Sequence, residues 1–177
     1  MAVRPLVDFR EKTLREPSRP VDPFDREVRE AIRDLWDTLG TKRGLAMAAP
    51  QIGLPFRLFV YDLKRSSVKG NQAPVRGVLI NPEIMHREGT ITVVEGCLSF
   101  PDLDLSIVRP ERVTVSGLNE AGERVVYSGE GLFARMIEHE MDHLDGVLLL
   151  DRQTSWGRLI SLWRRWTWER SMRKRNS

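Results

Sequence analysis

Residues 135–146, RMIEHEMDHLDG, decide how the rest of the chain is read. They set His139 and His143 four positions apart, with Glu140 beside the first. On a helix, side chains four apart share one face, one turn above the other. Both imidazoles can then aim at a single ion. Glu140 can reach a water on that ion without being a ligand. The plain alternative is a polar helix surface that happens to carry two imidazoles and a carboxylate. The H-E-x-x-H spacing favours the metal reading, because it supplies two ligands and a base in one turn. Gly146 is placed to end the helix.

A metal site needs a third ligand, and the candidates are few. No histidine follows His143, and the only glutamate after Glu140 is Glu169, inside a basic tail. His86, in EIMHREG, stands alone at a strand end and reads as a surface residue. Cys97, in VEGCLSFP, is the chain's single cysteine. A lone cysteine is commonly a small core residue. At a strand end it can also be aimed at a site. A Cys-His-His set would leave a fourth position open, as catalytic metal centres require.

Outward from this motif, the chain reads as one α+β catalytic domain over residues 1–150. We expect a mostly antiparallel β-sheet around a central metal-binding helix, with an N-terminal helix before it and a basic C-terminal helix after it. DPFDREVREAIRDLWDTL (22–39) carries Val28, Ile32, Leu35, Trp36 and Leu39 at helical spacing, with Asp22 as cap and Pro23 in the first turn. FRLFVYDL (56–63), VLINPEIM (78–85) and GTITVVEG (89–96) read as strands, and RSSVKGNQAP (65–74) as a polar loop. ERVTVSGLNEAGERVVYSGE (111–130) alternates on both sides of NEAG, as a hairpin does. Strands in succession between two helices argue against alternating βαβ units.

Composition narrows the classes further. At 177 residues the chain can bury a substantial core. No apolar run approaches the length of a membrane-spanning helix. The N-terminus, MAVRPLVDFREKTLREPSRP, has no apolar stretch of the secretory kind. One cysteine excludes an internal disulfide and fits a reducing compartment, so a cytoplasmic location is expected.

Three segments together resemble the signature motifs of the peptide deformylase family: GLAMAAPQ (44–51), EGCLS (95–99) and HEMDH (139–143). They appear in the family's order, and the resemblance runs from about residue 5 to about residue 150. The first motif departs from the family's G-x-G-x-A-A-x-Q at Ala46, which replaces the second glycine. The resemblance implies an enzyme that removes the formyl group from N-terminal formylmethionine and releases formate. Chemistry assigns Cys97, His139 and His143 to one divalent metal and Glu140 to proton transfer. The resemblance assigns the oxyanion to the Gln51 amide and the Leu98 backbone N–H. It also implies Fe(II) as the natural ion, with Ni(II) or Co(II) as active substitutes; the donor set suits Zn(II) as well. Leu132 and Met136, seven and three residues before His139, share its helix face and can line a methionine pocket. Gly44, Leu45 and Ala46 can form another wall. Arg135 is either a rim residue that meets the following part of the peptide or solvent-facing. Two rivals remain: a general metallopeptidase, and a non-catalytic ribosome-binding relative.

Residues 151–177 form a Trp- and Arg-rich segment. Seven Arg and one Lys stand against Asp151 and Glu169, a local charge of +6 in a chain of net +3, which leaves −3 for the remainder. On a helix, Trp156, Leu159, Ile160, Leu162, Trp163 and Trp166 fall on one broad face, opposite Arg158, Arg164 and Arg165. The segment could lie on the body, on a membrane surface or on ribosomal RNA. The expected arrangement has the apolar face on the body and the arginines on phosphate.

Overall fold

The computed structural model describes residues 2–42, 44–63 and 74–153. The polar loop after residue 63 and the Trp/Arg-rich helix read at 155–175 lie outside them, apart from Pro74. The order is α1 (Arg26–Gly40), β1 (Ala46–Ala48), β2 (Leu58–Asp62), β3 (Arg76–Glu88), β4 (Ile91–Cys97), β5 (Phe100–Arg109), β6 (Arg112–Leu118), β7 (Arg124–Glu130) and α2 (Leu132–Leu144). One five-stranded sheet runs β1-β2-β3-β6-β7, and β4-β5 make a separate two-stranded sheet. All these strand pairings are antiparallel, so the α+β expectation holds.

The run Leu58-Phe59-Val60-Tyr61 is apolar without alternation because both faces of β2 are covered. Leu58 and Val60 pack with Val28, Ile32, Leu35 and Leu39 of α1. Phe59 and Tyr61 point the other way and pack with Phe133, Ile137, Met141 and Leu144 of α2. Each such large side chain contributes about 1.5–3 kcal/mol by leaving water. The metal-motif helix is therefore a core element, held by its apolar stripe against the sheet.

Three details differ from the sequence reading. The first helix starts at Arg26, not at Asp22. The Asp22 carboxylate accepts from the Phe24 N–H at 2.9 Å, and the Asp22 carbonyl accepts from the Asp25 N–H. This turn uses up residues 22–25 before the helix can begin. Second, β3 runs from Arg76 to Glu88, beyond both ends of the 78–85 stretch read as a strand, and carries a break at Asn81-Pro82. The break is absorbed by a bulge, with Asn81 at φ +50° and its side-chain amide bonded to both backbone groups of Val21. Third, the sequence reading assigns no strand at β1, and none at β5. Its Leu103, Leu105 and Ile107 do alternate with Asp104, Ser106 and Val108.

The NEAG hairpin is present, with Gly122 at φ +78° in the turn joining β6 to β7. Gly146 follows α2 at φ +70°, and a Cβ there would lie 2.5 Å from the Arg15 carbonyl oxygen. Only glycine fits on both counts.

Candidate metal centre

Two elements converge on one point. His139 and His143 come from α2, their rings 5.0 Å apart and nearly perpendicular. Cys97 ends β4. A bulge between Glu95 and Cys97 and the two-residue turn Leu98–Ser99 before Phe100 turn the cysteine toward the helix. Cys97 Sγ lies 3.2 Å from His143 Nε2. Cys97, His139 and His143 each offer a ligand atom within 4.8 Å of the others. His86 sits on the exposed part of β3, paired with Thr114, and takes no part in the cluster.

The donor set has the chemistry a divalent metal needs. Burial alone would raise the Cys97 thiol. The charge of His143 and hydrogen bonds from both imidazoles outweigh it and hold the thiol well below its ordinary value of 9.0. His139 Nδ1 meets Glu95 Oε2 at 3.0 Å. That contact fixes the ring and leaves its Nε2 for the ion. Burial opposes the imidazolium form of His139, yet Cys97 and Glu95 raise its pKa well above 6.5.

Glu140 is buried beside the cluster, and its Oε2 has no hydrogen-bond partner among the described residues. Burial pushes its pKa up to about 7, against the opposing pull of His139 and His143. Gln51 sits in the short helical turn Ala49–Ile52. Its Oε1 accepts from the Ala48 N–H at 2.9 Å. This turns the amide Nε2 toward Cys97 Sγ at 3.7 Å and Ser99 Oγ at 3.5 Å.

A cavity of about 600 Å³ opens at the cluster, and Gly44, Leu45, Ala46, Leu98, Leu132 and Met136 all line it. A Cβ on Gly44 would lie 2.8 Å from Leu98 Cδ1, so the Leu98 side chain would have to shift to admit it. Ala46 is an ordinary residue of β1, paired with Tyr61, so its methyl requires no unusual backbone.

This chain matches the family model described as "Polypeptide deformylase" over residues 3–158. The chain belongs to the peptide deformylase family. It is 42% identical over 160 residues to the peptide deformylase of Aquifex aeolicus, spanning 90% of this chain and 93% of that one. It is 45% identical over 152 residues to that of Acidobacterium capsulatum, with 86% and 87% covered. The crystal structure of a peptide deformylase from Legionella pneumophila superposes with a TM-score of 0.82 at 34% identity, covering 97% of this chain and 98% of the other. Cys97, His139 and His143 correspond to the deformylase single-metal site, of the iron or zinc type.

Sequence reasoning missed the support beneath this deformylase site. Arg109 is buried and donates to both oxygens of Glu95, at 3.1 and 3.0 Å. Its third contact is Asp142, at 2.7 Å. Asp142 in turn pairs with Arg152. Burial raises Glu95, but His139 and Arg109 together hold it below its ordinary value. One signal was available for Arg109: it continues the inward series Leu105, Ile107, Arg109 on β5.

Proposed function

We propose the following division of labour in a reaction that the family sets. The chain removes the formyl group from the N-terminal formylmethionine of new polypeptides and releases formate. When bound by Cys97, His139 and His143, the divalent ion supplies Lewis acidity, bringing water deprotonation toward neutral pH. Glu140 accepts the proton of the attacking water and delivers it to the departing amine. As the formamide C–N bond breaks, the water oxygen stays on formate and the peptide leaves with a free amino group. The Gln51 amide and the Leu98 N–H hold the oxygen that becomes negative on the way. Such a donor is worth roughly 3 kcal/mol in the transition state. Leu132 and Met136 on one side and Gly44, Leu45 and Ala46 on the other receive the methionine side chain.

The observation that carries this reading is Glu140 Oε2, buried and without a hydrogen-bond partner among the described residues, in the wall of the cavity that Cys97 and His139 also line. The test compares a formylmethionyl tripeptide with its unformylated twin. Formate should appear from the first and no cleavage from the second. Peptide-bond cleavage of the unformylated twin would instead mark a general metallopeptidase.

We further propose that residues 151–177 form a distinct basic segment that holds the enzyme at the ribosome in the cytoplasm, where its substrate emerges. The segment's charge and the sequence spacing of its apolar and arginine residues support this. Its first residues are tied to the body, Asp151 to Arg15 and Arg152 to Asp142. No helix among the described residues is long and apolar enough to cross a membrane. Removing residues 170–177 should leave turnover of a short formyl peptide intact and weaken co-sedimentation with ribosomes. That binding should fall steeply with salt, as phosphate contacts do. Preferential binding to anionic vesicles would favour a membrane surface instead.

A further inference from the structure

Two opposite charges line the cavity outside the residues used above, and neither has an ionic partner among the described residues. Arg135 precedes His139 by four positions and so lies on the same face of α2, about 6 Å along the axis. It is half-buried in the cavity wall. Its one side-chain hydrogen bond among the described residues is a long one, Nη1 to the Val94 carbonyl at 3.5 Å, which reaches from α2 to β4. Asp104 lies on β5, exposed, with its carboxylate over Gly96. A Cβ on Gly96 would come within 2.6 Å of Asp104 Oδ1. The other arginines near the centre are spent: Arg109 and Arg152 are both bound to carboxylates.

We propose that Arg135 is a specificity-determining residue that reads the charge of the residues following formylmethionine. The reasoning is spatial. With the formyl group at the metal cluster and the methionine side chain against Leu132 and Met136, the next residues must leave past the cavity rim. Arg135 stands between Leu132 and His139 on the helix that forms that rim. A guanidinium held by one long carbonyl contact keeps most of its donors for a ligand. An acidic side chain in the next two positions meets a half-desolvated cation. A basic one meets like charge. Asp104 on β5 and Glu95 on β4 bring the opposite sign to the rest of the wall, so the preference for an acidic side chain is confined to the position that Arg135 reaches. This inference rests on formylmethionyl peptides being the substrate. A neutral peptide checks that part by itself, since its turnover does not depend on charge reading.

The experiment measures kcat/KM at low ionic strength for formyl-Met-Xaa-Ala and formyl-Met-Ala-Xaa, with Xaa as Glu, Gln or Lys. In the wild type, Glu should exceed Lys by about two- to fivefold at one of the two positions, the yield of one partly screened ion pair. R135Q should bring that ratio near one, and R135E should invert it. In wild type and in R135E, where the ratio departs from one, it should move toward one at high salt, where the Debye length falls to about 3 Å. A Glu-to-Lys ratio near one at both positions overturns the proposal, as does a ratio that survives R135Q or high salt. Failure to turn over the Gln peptides at all would strike the substrate assignment instead.

Discussion

Replacing Glu140 by glutamine is expected to leave the metal in place and remove nearly all turnover. The two side chains have the same shape, and Glu140 is not one of the three residues whose ligand atoms converge. Its Oε2 is buried without a partner among the described residues, so no hydrogen bond seen there is lost with the charge. What disappears is the capacity to take and return a proton, a function typically worth about 10²–10⁴-fold. We expect kcat to fall by roughly 10³, read as formate release, with metal content per chain close to that of wild type. C97A should behave in the opposite manner and lose most of its metal, because two imidazoles alone make a weaker site than a thiolate with two imidazoles. Near-normal kcat in E140Q would move the proton carrier to another group. Loss of metal in E140Q would make the glutamate a ligand.

The parts of the site that were legible in the sequence are those where local spacing determines geometry. Helical periodicity alone puts His139 and His143 on one side, and the same periodicity places Leu132 and Met136 on the cavity wall. Cys97 was reached by elimination, because few other ligands were available. Tertiary contacts were harder to read. Gln51 is aimed by a hydrogen bond to Ala48 three residues away, a local device that its sequence does not advertise. Arg109 sits 33 positions from Asp142, and a buried arginine in a strand looks like any charged residue until its partners are known. Likewise β5 was hidden by Pro101 and three acidic or polar residues among its apolar ones, although the alternation was there. The start of α1 was misplaced because Asp22 can cap a helix or close a turn, and here it closes a turn.

The largest effect on stability should come from Arg109, which touches no ligand atom. Its side chain is 2% exposed and neutralises two carboxylates, Glu95 at 4% and Asp142 at 6%. Asp142 keeps Arg152 if Arg109 is removed. Among the described residues Glu95 keeps only His139. Breaking a buried pair from one side leaves an uncompensated charge and typically costs about 3–5 kcal/mol. We therefore expect R109L to lose about that much in the urea unfolding of the metal-free protein. Lysine should not rescue it, since one ammonium cannot span a bidentate contact to Glu95 and a third bond to Asp142. The loss should also reach the metal. Without Arg109 the Glu95 carboxylate rises in pKa and ceases to be a dependable acceptor for His139 Nδ1. Such outer partners commonly contribute about 10–100-fold in metal affinity, measurable by chelator competition. The comparison variant is R112A. Arg112 also contacts two carboxylates, Glu88 and Glu130, but all three are about half exposed, and its removal should leave both the unfolding midpoint and the metal affinity unchanged. If R109L unfolds at the wild-type urea midpoint and holds metal as tightly, the buried arginine is neither the structural nor the positioning element argued for. If it loses stability but keeps metal affinity, Glu95 orients His139 unaided, and the role of Arg109 ends at the fold.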